Sequence, residues 1–355
     1  MAMRAERKFC LMTRDEAAQE PTVEEQIAKL VRYIGVVYNV VLNRDPDAAE
    51  IQKHGNEMLR GLTPIDFFNN ITFSEERKSQ APLYVVPGHF YSPIVNPAEL
   101  HHYVRALANV GAEITGISID RDAMIATWER LVPLLTTAPF ADMQTAGSRY
   151  FYDNQAYGFG DAVVLQAMIR DRRPKRLVEI GSGYSSACSA DTVDTFLDGD
   201  CEFTFIEPRP ERLRAILGDR ASGVRIVDAP VQRVPLDLFE ELAAGDILFI
   251  DSTHVLRTGS DVCYELLEVL PRIAPGVAVQ IHDMFWPFEY PRNWILDDNR
   301  SWNEIYAVRA FLTQNDLWRI SFFNDYFAKY ERERIERSLP RFAGNAGGAL
   351  WLERR

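Results

Sequence analysis

The chain has 355 residues, and its 51 acidic side chains outnumber the 39 basic ones to give a formal net charge of −12. A broad nucleic-acid-binding face is therefore not expected, because phosphate contacts need clustered Lys and Arg. Hydrophobic residues make up 47% and charged residues 25%, the balance of a globular protein with room for two domains. No apolar run approaches the ~20 residues of a membrane span, and residues 1–20 contain no leader-like apolar stretch, so the chain reads as cytoplasmic. The four cysteines, Cys10, Cys188, Cys201 and Cys263, show no CxxC spacing and read as reduced thiols.

Residues 1–20 read as a loose tail and residues 21–80 as a small all-α domain. Thr22 and Glu25 have the spacing of a helix start, and Ile27, Leu30, Val31, Ile34 and Val37 or Tyr38 recur at helical spacing. The run from Asn43 to Asp47 predicts a turn, because the residue before a proline avoids the helix. A second helix is predicted over 48–60. A third begins with Thr63 as cap and Pro64 at its first position, and stops near Ser74. Residues 81–173 read as a connector and lid helices, with helices predicted over 97–109, 122–135 and 160–170. The segments holding His89 and Tyr91, and then Tyr152 and Asn154, concentrate aromatic and polar groups.

From 174 to 355 apolar strands alternate with helices. Strands are predicted near 176–180, 202–206, 224–228, 246–250, 277–281, 318–323 and 348–353, the pattern of a doubly wound parallel sheet. The first strand runs into Glu179, Gly181, Ser182, Gly183, Ser185 and Ser186, and then into a helix. Glycines permit a tight bend and close ligand approach, and a following helix presents unpaired N–H groups. Glu207, Asp251 and the pair His282-Asp283 follow later strands. Polar residues just past several parallel strands mark one crevice at the carboxyl edge of the sheet. A dinucleotide-binding dehydrogenase is the competing reading, since Glu207 also suits a ribose of NAD; the serine at 186, where that fingerprint prefers glycine or alanine, counts against it.

In order and at fitting spacing, Glu179-Ile180-Gly181-Ser182-Gly183, Phe205-Ile206-Glu207-Pro208, the run from Phe249 to His254 and Ile281-His282-Asp283 resemble a class I S-adenosylmethionine (SAM)-dependent methyltransferase, of the branch containing many small-molecule O-methyltransferases. The resemblance spans roughly residues 83–355, with Ser185 in place of the usual third glycine. The N-terminal helices resemble a short bacterial helical domain of unknown function, carried by Asn43 to Asp47 and Gly61-Leu62-Thr63.

The resemblance implies a Rossmann-like seven-stranded sheet whose last strand is antiparallel and forms a hairpin with the sixth. It implies SAM as cofactor, held by Glu179, Gly181, Ser182, Gly183, Ser185 and Ser186 at the methionine end, Glu207 at the ribose, Val231 and Gln232 at the adenine, and Asp251. The expected reaction is O-methylation of a sugar or secondary metabolite. Methyl transfer needs an in-line nucleophile stripped of its proton, so His254, His282 and Asp283 are the candidate catalytic residues. A divalent metal on Asp251, His282 and Asp283 is the alternative device, with the histidine favouring Mn²⁺, Fe²⁺ or Zn²⁺ over Mg²⁺. Substrate contacts are expected from His89, Tyr91, Tyr152, Asn154, Arg257 and Trp286. A small-molecule acceptor is the expected partner, with neither nucleic acid nor membrane, and a homo-oligomer is compatible with the pattern. The alternatives are a repurposed, non-catalytic SAM-fold binding protein and a metal-dependent oxygenase on the same fold.

Overall fold

A computed structural model describes residues 22–80, 84–107 and 109–355. The tail 1–20, Cys10 within it, and Ala81-Pro82 at the head of the connector lie outside the described residues. The chain forms two compact units, one ending at Ser92 and the other spanning Pro93–Arg355.

The first unit contains α1 (Val23–Leu42), α2 (Ala48–Leu59), α3 (Pro64–Thr72) and α4 (Glu75–Gln80). Ile34, Val37, Tyr38 and Val41 form one stripe of α1 and meet Phe67 and Ile71 of α3 in a small core. Asn43 takes the left-handed conformation the turn requires, at φ 53°. Asp47 then caps α2 in a reciprocal box with Glu50. Thr63 Oγ1 accepts from the Asp66 N–H at 3.2 Å, with Pro64 next to it, as its sequence predicts. Arg44 ties the turn down by pairing with both Glu50 and Glu76, at 2.7 and 2.6 Å.

The second unit opens with α5 (His101–Leu107), shorter than the predicted 97–109 because Pro97–Glu99 forms a separate 3₁₀ turn. Helices α6 (Arg121–Leu135) and α7 (Phe159–Arg172) follow. These were expected to cover the site; instead α7 is buried from Phe159 to Ile169 and packs between α6 and α8 (Tyr184–Phe196). Its apolar residues run all round the helix, which places it in the core.

The sheet comprises β1 (Arg176–Ile180), β2 (Glu202–Ile206), β3 (Arg225–Val227), β4 (Ile247–Ile250), β5 (Ala278–Ile281), β6 (Trp318–Phe323) and β7 (Leu350–Arg354), in the order β3-β2-β1-β4-β5-β7-β6. Between these strands lie α9 (Glu211–Leu217), α10 (Asp237–Glu240), α11 (Asp261–Tyr264), α12 (Arg292–Leu296), α13 (Glu304–Leu312), α14 (Asn324–Tyr330) and α15 (Arg332–Ser338). Strand β7 runs antiparallel to both β5 and β6. The β6–β7 connection is not a tight hairpin, because α14 and α15 are folded into it.

The register sets the site. Ile180 pairs with both Ile206 and Ile250, and Ile250 pairs with Ile281. Gly181, Glu207, Asp251 and His282 are the next residues of their strands, so they emerge at one level on the carboxyl edge. Among the described residues, no helix is long and apolar enough to cross a membrane.

Candidate active site

The loop from β1 into α8 is organised around Glu179. Its carboxylate is buried and accepts hydrogen bonds from Ser185 Oγ at 2.6 Å and Ser186 Oγ at 2.9 Å. Ser186 Oγ in turn accepts from the Gly183 N–H at 3.1 Å. Burial pushes the Glu179 carboxyl up to about 8, with the two serine hydroxyls pulling the other way. Glu179, Ser185 and Ser186, read from the sequence as cofactor contacts, are thus turned into the loop's own interior, where they hold its shape. The glycines serve different ends. Gly181 has φ +76°, and a Cβ there would sit 1.8 Å from the Asp251 carbonyl oxygen, so glycine lets the first and fourth strand ends meet. A Cβ on Gly183 would meet nothing within 4 Å, so its space is open to a ligand.

A crevice of about 540 Å³ lies beside this loop, walled by Gly181, Ser182, Glu207, Val231, Gln232, Asp251 and Arg257. Glu207 accepts from the Arg209 N–H at 2.9 Å and from Ser182 Oγ at 3.3 Å, which fixes its carboxylate at the crevice wall. Val231 is a buried apolar surface. Gln232 Nε2 donates to the Gly259 carbonyl at 3.0 Å, which orients the amide and leaves Oε1 buried without a partner among the described residues. A buried orphan acceptor calls for a donor. The exocyclic amine of an adenine is such a donor, so the residues present fit SAM. A larger cleft of about 750 Å³ lies at the opposite, amino edge, against the start of β6 and the end of β7. Arg172 and Arg319 there are both paired with Glu353.

Next to the crevice, six side chains alternate acid and imidazole. His254 Nε2 lies 3.4 Å from both Asp251 Oδ1 and Asp283 Oδ2, and its Nδ1 lies 2.8 Å from Glu304 Oε2. His282 Nδ1 lies 3.3 Å from Asp251 Oδ1 and 3.6 Å from Asp283 Oδ1, while its Nε2 faces Asp161 Oδ2 at 3.4 Å. His254 and Asp283 reach these positions from left-handed backbone, at φ 60° and 57°, which non-glycine residues adopt at a cost. The rings are braced from outside by Trp302 on His254, centroids 4.4 Å apart, and Tyr157 on His282, 5.2 Å apart.

Opposing effects set the protonation of this cluster. Burial opposes charge on His254, yet hydrogen bonds to Asp251 and Glu304 prevail and raise it to about 10. Burial likewise opposes charge on His282, but Asp251, Asp283 and Asp161 hold it well above the ordinary value. Burial would raise Asp251, but His282 and His254 hold it below the usual carboxylate range. Asp283 goes the other way, burial raising it against the pull of the same two imidazoles.

The convergence of His254, His282 and Asp283 was legible in the sequence; the roles of Asp161 and Glu304 were not. Asp161 comes from α7 and is anchored by the Gly348 N–H at 2.9 Å. Glu304 comes from the first turn of α13. Other expected substrate contacts are engaged elsewhere. The Asn154 amide bonds its own loop, donating to the Phe151 and Tyr157 carbonyls and accepting from two loop N–H groups. Tyr152 packs among Phe140, Tyr150 and Phe159. Trp286 is buried among Phe288, Phe323 and Tyr326, its indole N–H donating to the Gly111 carbonyl at 3.0 Å. Arg257 does line the crevice. His89 and Tyr91 belong to the first unit, where His89 stacks on Phe90 and Tyr91 packs against both.

A seven-stranded sheet of this order, with Glu207, Asp251 and His282-Asp283 just past β2, β4 and β5, defines a class I SAM-dependent methyltransferase, and SAM is its cofactor. The family model described as "Methyltransferase domain" matches residues 178–284. The chain is 32% identical over 162 residues to an uncharacterized protein of Archaeoglobus fulgidus, covering 44% of this chain and 72% of that one, and belongs to the same family. Among solved structures it is similar to the methyltransferase PaMTH1 of Podospora anserina, bound to S-adenosylhomocysteine (SAH), at 15% identity, 77% of this chain, 99% of that one and a TM-score of 0.36. The O-methyltransferase TomG of Streptomyces achromogenes matches at 14%, 72%, 96% and 0.33.

Proposed function

We propose that the protein transfers the methyl group of SAM to a hydroxyl oxygen of a small molecule, and that the His254–His282 cluster takes up the hydroxyl proton. The observation that carries this reading is the position of Asp251. It lines the cofactor crevice and also touches both imidazoles. Proton uptake therefore lies one side chain from the methyl donor. SAM supplies an electrophilic methyl group on a cationic sulfonium. The protein's part is to hold the acceptor in line and keep a proton acceptor beside it. The carboxylates around them bias both imidazoles toward the protonated form. A cation bound beside Asp251 opposes that bias and lowers both ring pKa values toward the range where a histidine acts as a base.

A second reading rests on His282, whose two buried ring nitrogens have no hydrogen-bond partner of good geometry among the described residues. Asp251, His282 and Asp283 each offer a ligand atom, all within 4.8 Å of one another. These residues fit a divalent cation, and the mixed nitrogen and oxygen donors suit Mn²⁺, Fe²⁺ or Zn²⁺ better than Mg²⁺. Bound there, such an ion supplies Lewis acidity that lowers the pKa of an acceptor hydroxyl.

The test is transfer of labelled methyl from SAM to a panel of hydroxylated metabolites, read by mass spectrometry. His254→Ala or His282→Ala should lower turnover by about 10²–10⁴-fold, the range for a lost acid–base group, with SAM affinity nearly constant. Near-normal turnover in both variants would overturn the proton-acceptor role.

A further inference from the structure

We propose that Glu265 is a positioning residue of the cofactor crevice, held as a neutral acid, that gives up its proton when the sulfonium of SAM binds and regains it when transfer leaves neutral SAH. The return of the proton rests on the O-methylation reading above; its release on binding does not.

Glu265 opens the π-helical turn Glu265–Val269 that continues α11, and it is buried in one stripe with Val262, Leu266 and Val269. A carboxylate buried there without a cation would be costly. Its one hydrogen bond joins it to the site, Oε2 accepting from Ser252 Oγ at 3.1 Å. Ser252 follows Asp251 and lines the cofactor crevice. The next residue is held from the same helix, with Asp261 accepting from the Thr253 N–H at 3.0 Å and from Thr253 Oγ1 at 2.7 Å. Two carboxyl groups of α11 and its continuation thus fasten the segment from Asp251 to His254, which joins the crevice to the acid–histidine cluster.

The surroundings decide the protonation of Glu265. Two acids act on it, Asp261 from α11 and Glu304 from α13, against one cation, His254. That imidazole is already engaged by Glu304 at Nδ1 and by Asp251 at Nε2. Oε1 of Glu265 is buried and has no hydrogen-bond partner among the described residues. Burial and the two acids outweigh the Ser252 hydroxyl and the imidazole, and they hold the carboxyl well above its ordinary value.

A cation in the crevice shifts this balance. The sulfonium of SAM is cationic, whereas the thioether of SAH is neutral. Positive charge on the far side of Ser252 favours the ionised carboxyl, and the resulting anion binds the same hydroxyl more strongly. The protons balance over one turnover. The S–CH₃ bond breaks with its electron pair left on sulfur, the O–CH₃ bond forms, and the acceptor hydroxyl loses its proton. The site then holds one positive charge fewer, and Glu265 takes up a proton again. One proton leaves the protein as SAM binds and one is regained after transfer, so the net release is the single proton of the acceptor.

The test is calorimetric titration of the full chain with SAM and with SAH between about pH 6 and 8, in buffers of different ionisation enthalpy. This counts the protons released and needs no methyl acceptor. The histidines of the cluster respond to the same charge, so the comparison is with Glu265→Gln, an isostere of the neutral acid that keeps an acceptor for Ser252. Wild-type protein should release more protons with SAM than with SAH. The Glu265 share, up to about one proton, should be missing in Glu265→Gln, and with it up to about tenfold per pH unit of growth in the preference for SAM over SAH. The variant should melt normally and bind SAH as the wild type does. An equal SAM–SAH difference in the two proteins overturns the proposal, as does no difference in the wild type. A Glu265→Gln chain that fails to fold or to bind SAH also overturns it, because a carboxylate would then be required where a neutral acid is proposed. Absence of methyl transfer to hydroxylated acceptors counts against the O-methylation reading alone and leaves the proton count standing.

Discussion

Glu304 Oε2 lies 2.8 Å from His254 Nδ1, and both groups are buried. This pairing leaves Nε2 as the ring atom that faces Asp251 and Asp283. It is the second-sphere bond that orients an imidazole for work at its other nitrogen.

Glu304→Gln keeps a hydrogen-bonding side chain but removes the charge that stabilises the imidazolium. His254 has a folded-state value of about 10, above its ordinary 6.5. Its contribution to stability is therefore full below pH 6.5 and is lost as pH rises through about 10. In the variant that loss should be smaller and complete at lower pH. Melting temperature measured against pH from 6 to 10 checks this. Glu304→Leu, which strands the partner charge, should cost more, about 3–5 kcal/mol.

Glu179 has the same sign of linkage in a lower pH window. Its carboxyl is raised to about 8 from 4.5, so the folded state holds its proton more tightly than the unfolded chain. The group's contribution is full below pH 4.5, and stability falls as pH rises from there to about 8. Glu179→Gln should fold, keep its two serine donors and flatten the melting profile over that window. An unchanged slope would show that the carboxylate is not the group responsible.

The cofactor reading separates two glycines. Gly183→Ala adds a methyl group to open space, so the protein should melt normally and bind SAM at least tenfold more weakly. Gly181→Ala meets the Asp251 carbonyl from a left-handed backbone and should lower stability itself. Glu207→Ala should weaken SAM by about 1.5–3 kcal/mol, the range for hydrogen bonds to a charged group. Calorimetry together with thermal melts distinguishes loss of binding from loss of fold.

Metal binding has its own readout. If Asp251, His282 and Asp283 hold a cation, adding Mn²⁺ or Zn²⁺ to chelator-treated protein should raise the melting temperature, by about 2.7 kcal/mol of stability at a hundredfold excess over Kd. Asp283→Asn should abolish the rise. A wild-type protein indifferent to these ions would leave proton transfer to the side chains alone.

The helical unit ending at Ser92 has its own core and carries none of the strand-end acids. A chain beginning at Pro93 should fold and bind SAM with affinity close to that of the full chain. A folded circular dichroism spectrum without SAM binding would show that the helical unit completes the site.

Much of this was readable along the chain because it depends on local pattern. Short apolar runs bounded by turn residues placed all seven strands to within about two residues, and the polar residues just past β2, β4 and β5 marked the crevice. Thr63 and Pro64 announced their helix because capping is a matter of adjacent residues. The short helices α12 and α14 carry no such periodicity and were not visible.

Tertiary structure decided whatever depends on the direction of a side chain or on distant segments meeting. Glu179 and Glu207 look alike in sequence, each an acid near a strand end. Glu179 lies one residue inside its strand, so its side chain turns into the layer beneath α8. Glu207 lies one residue beyond, where the backbone opens to the crevice. Trp286 lies three residues after Asp283 yet folds into the core, while Trp302, farther along, packs on His254. Asp161 reaches His282 only because α7 is buried against the sheet. The composition of the acid–histidine cluster thus belongs to the packing of helices on the sheet, which no spacing along the chain encodes. The strand-end positions of Asp251, His282 and Asp283 were determined by the sequence alone.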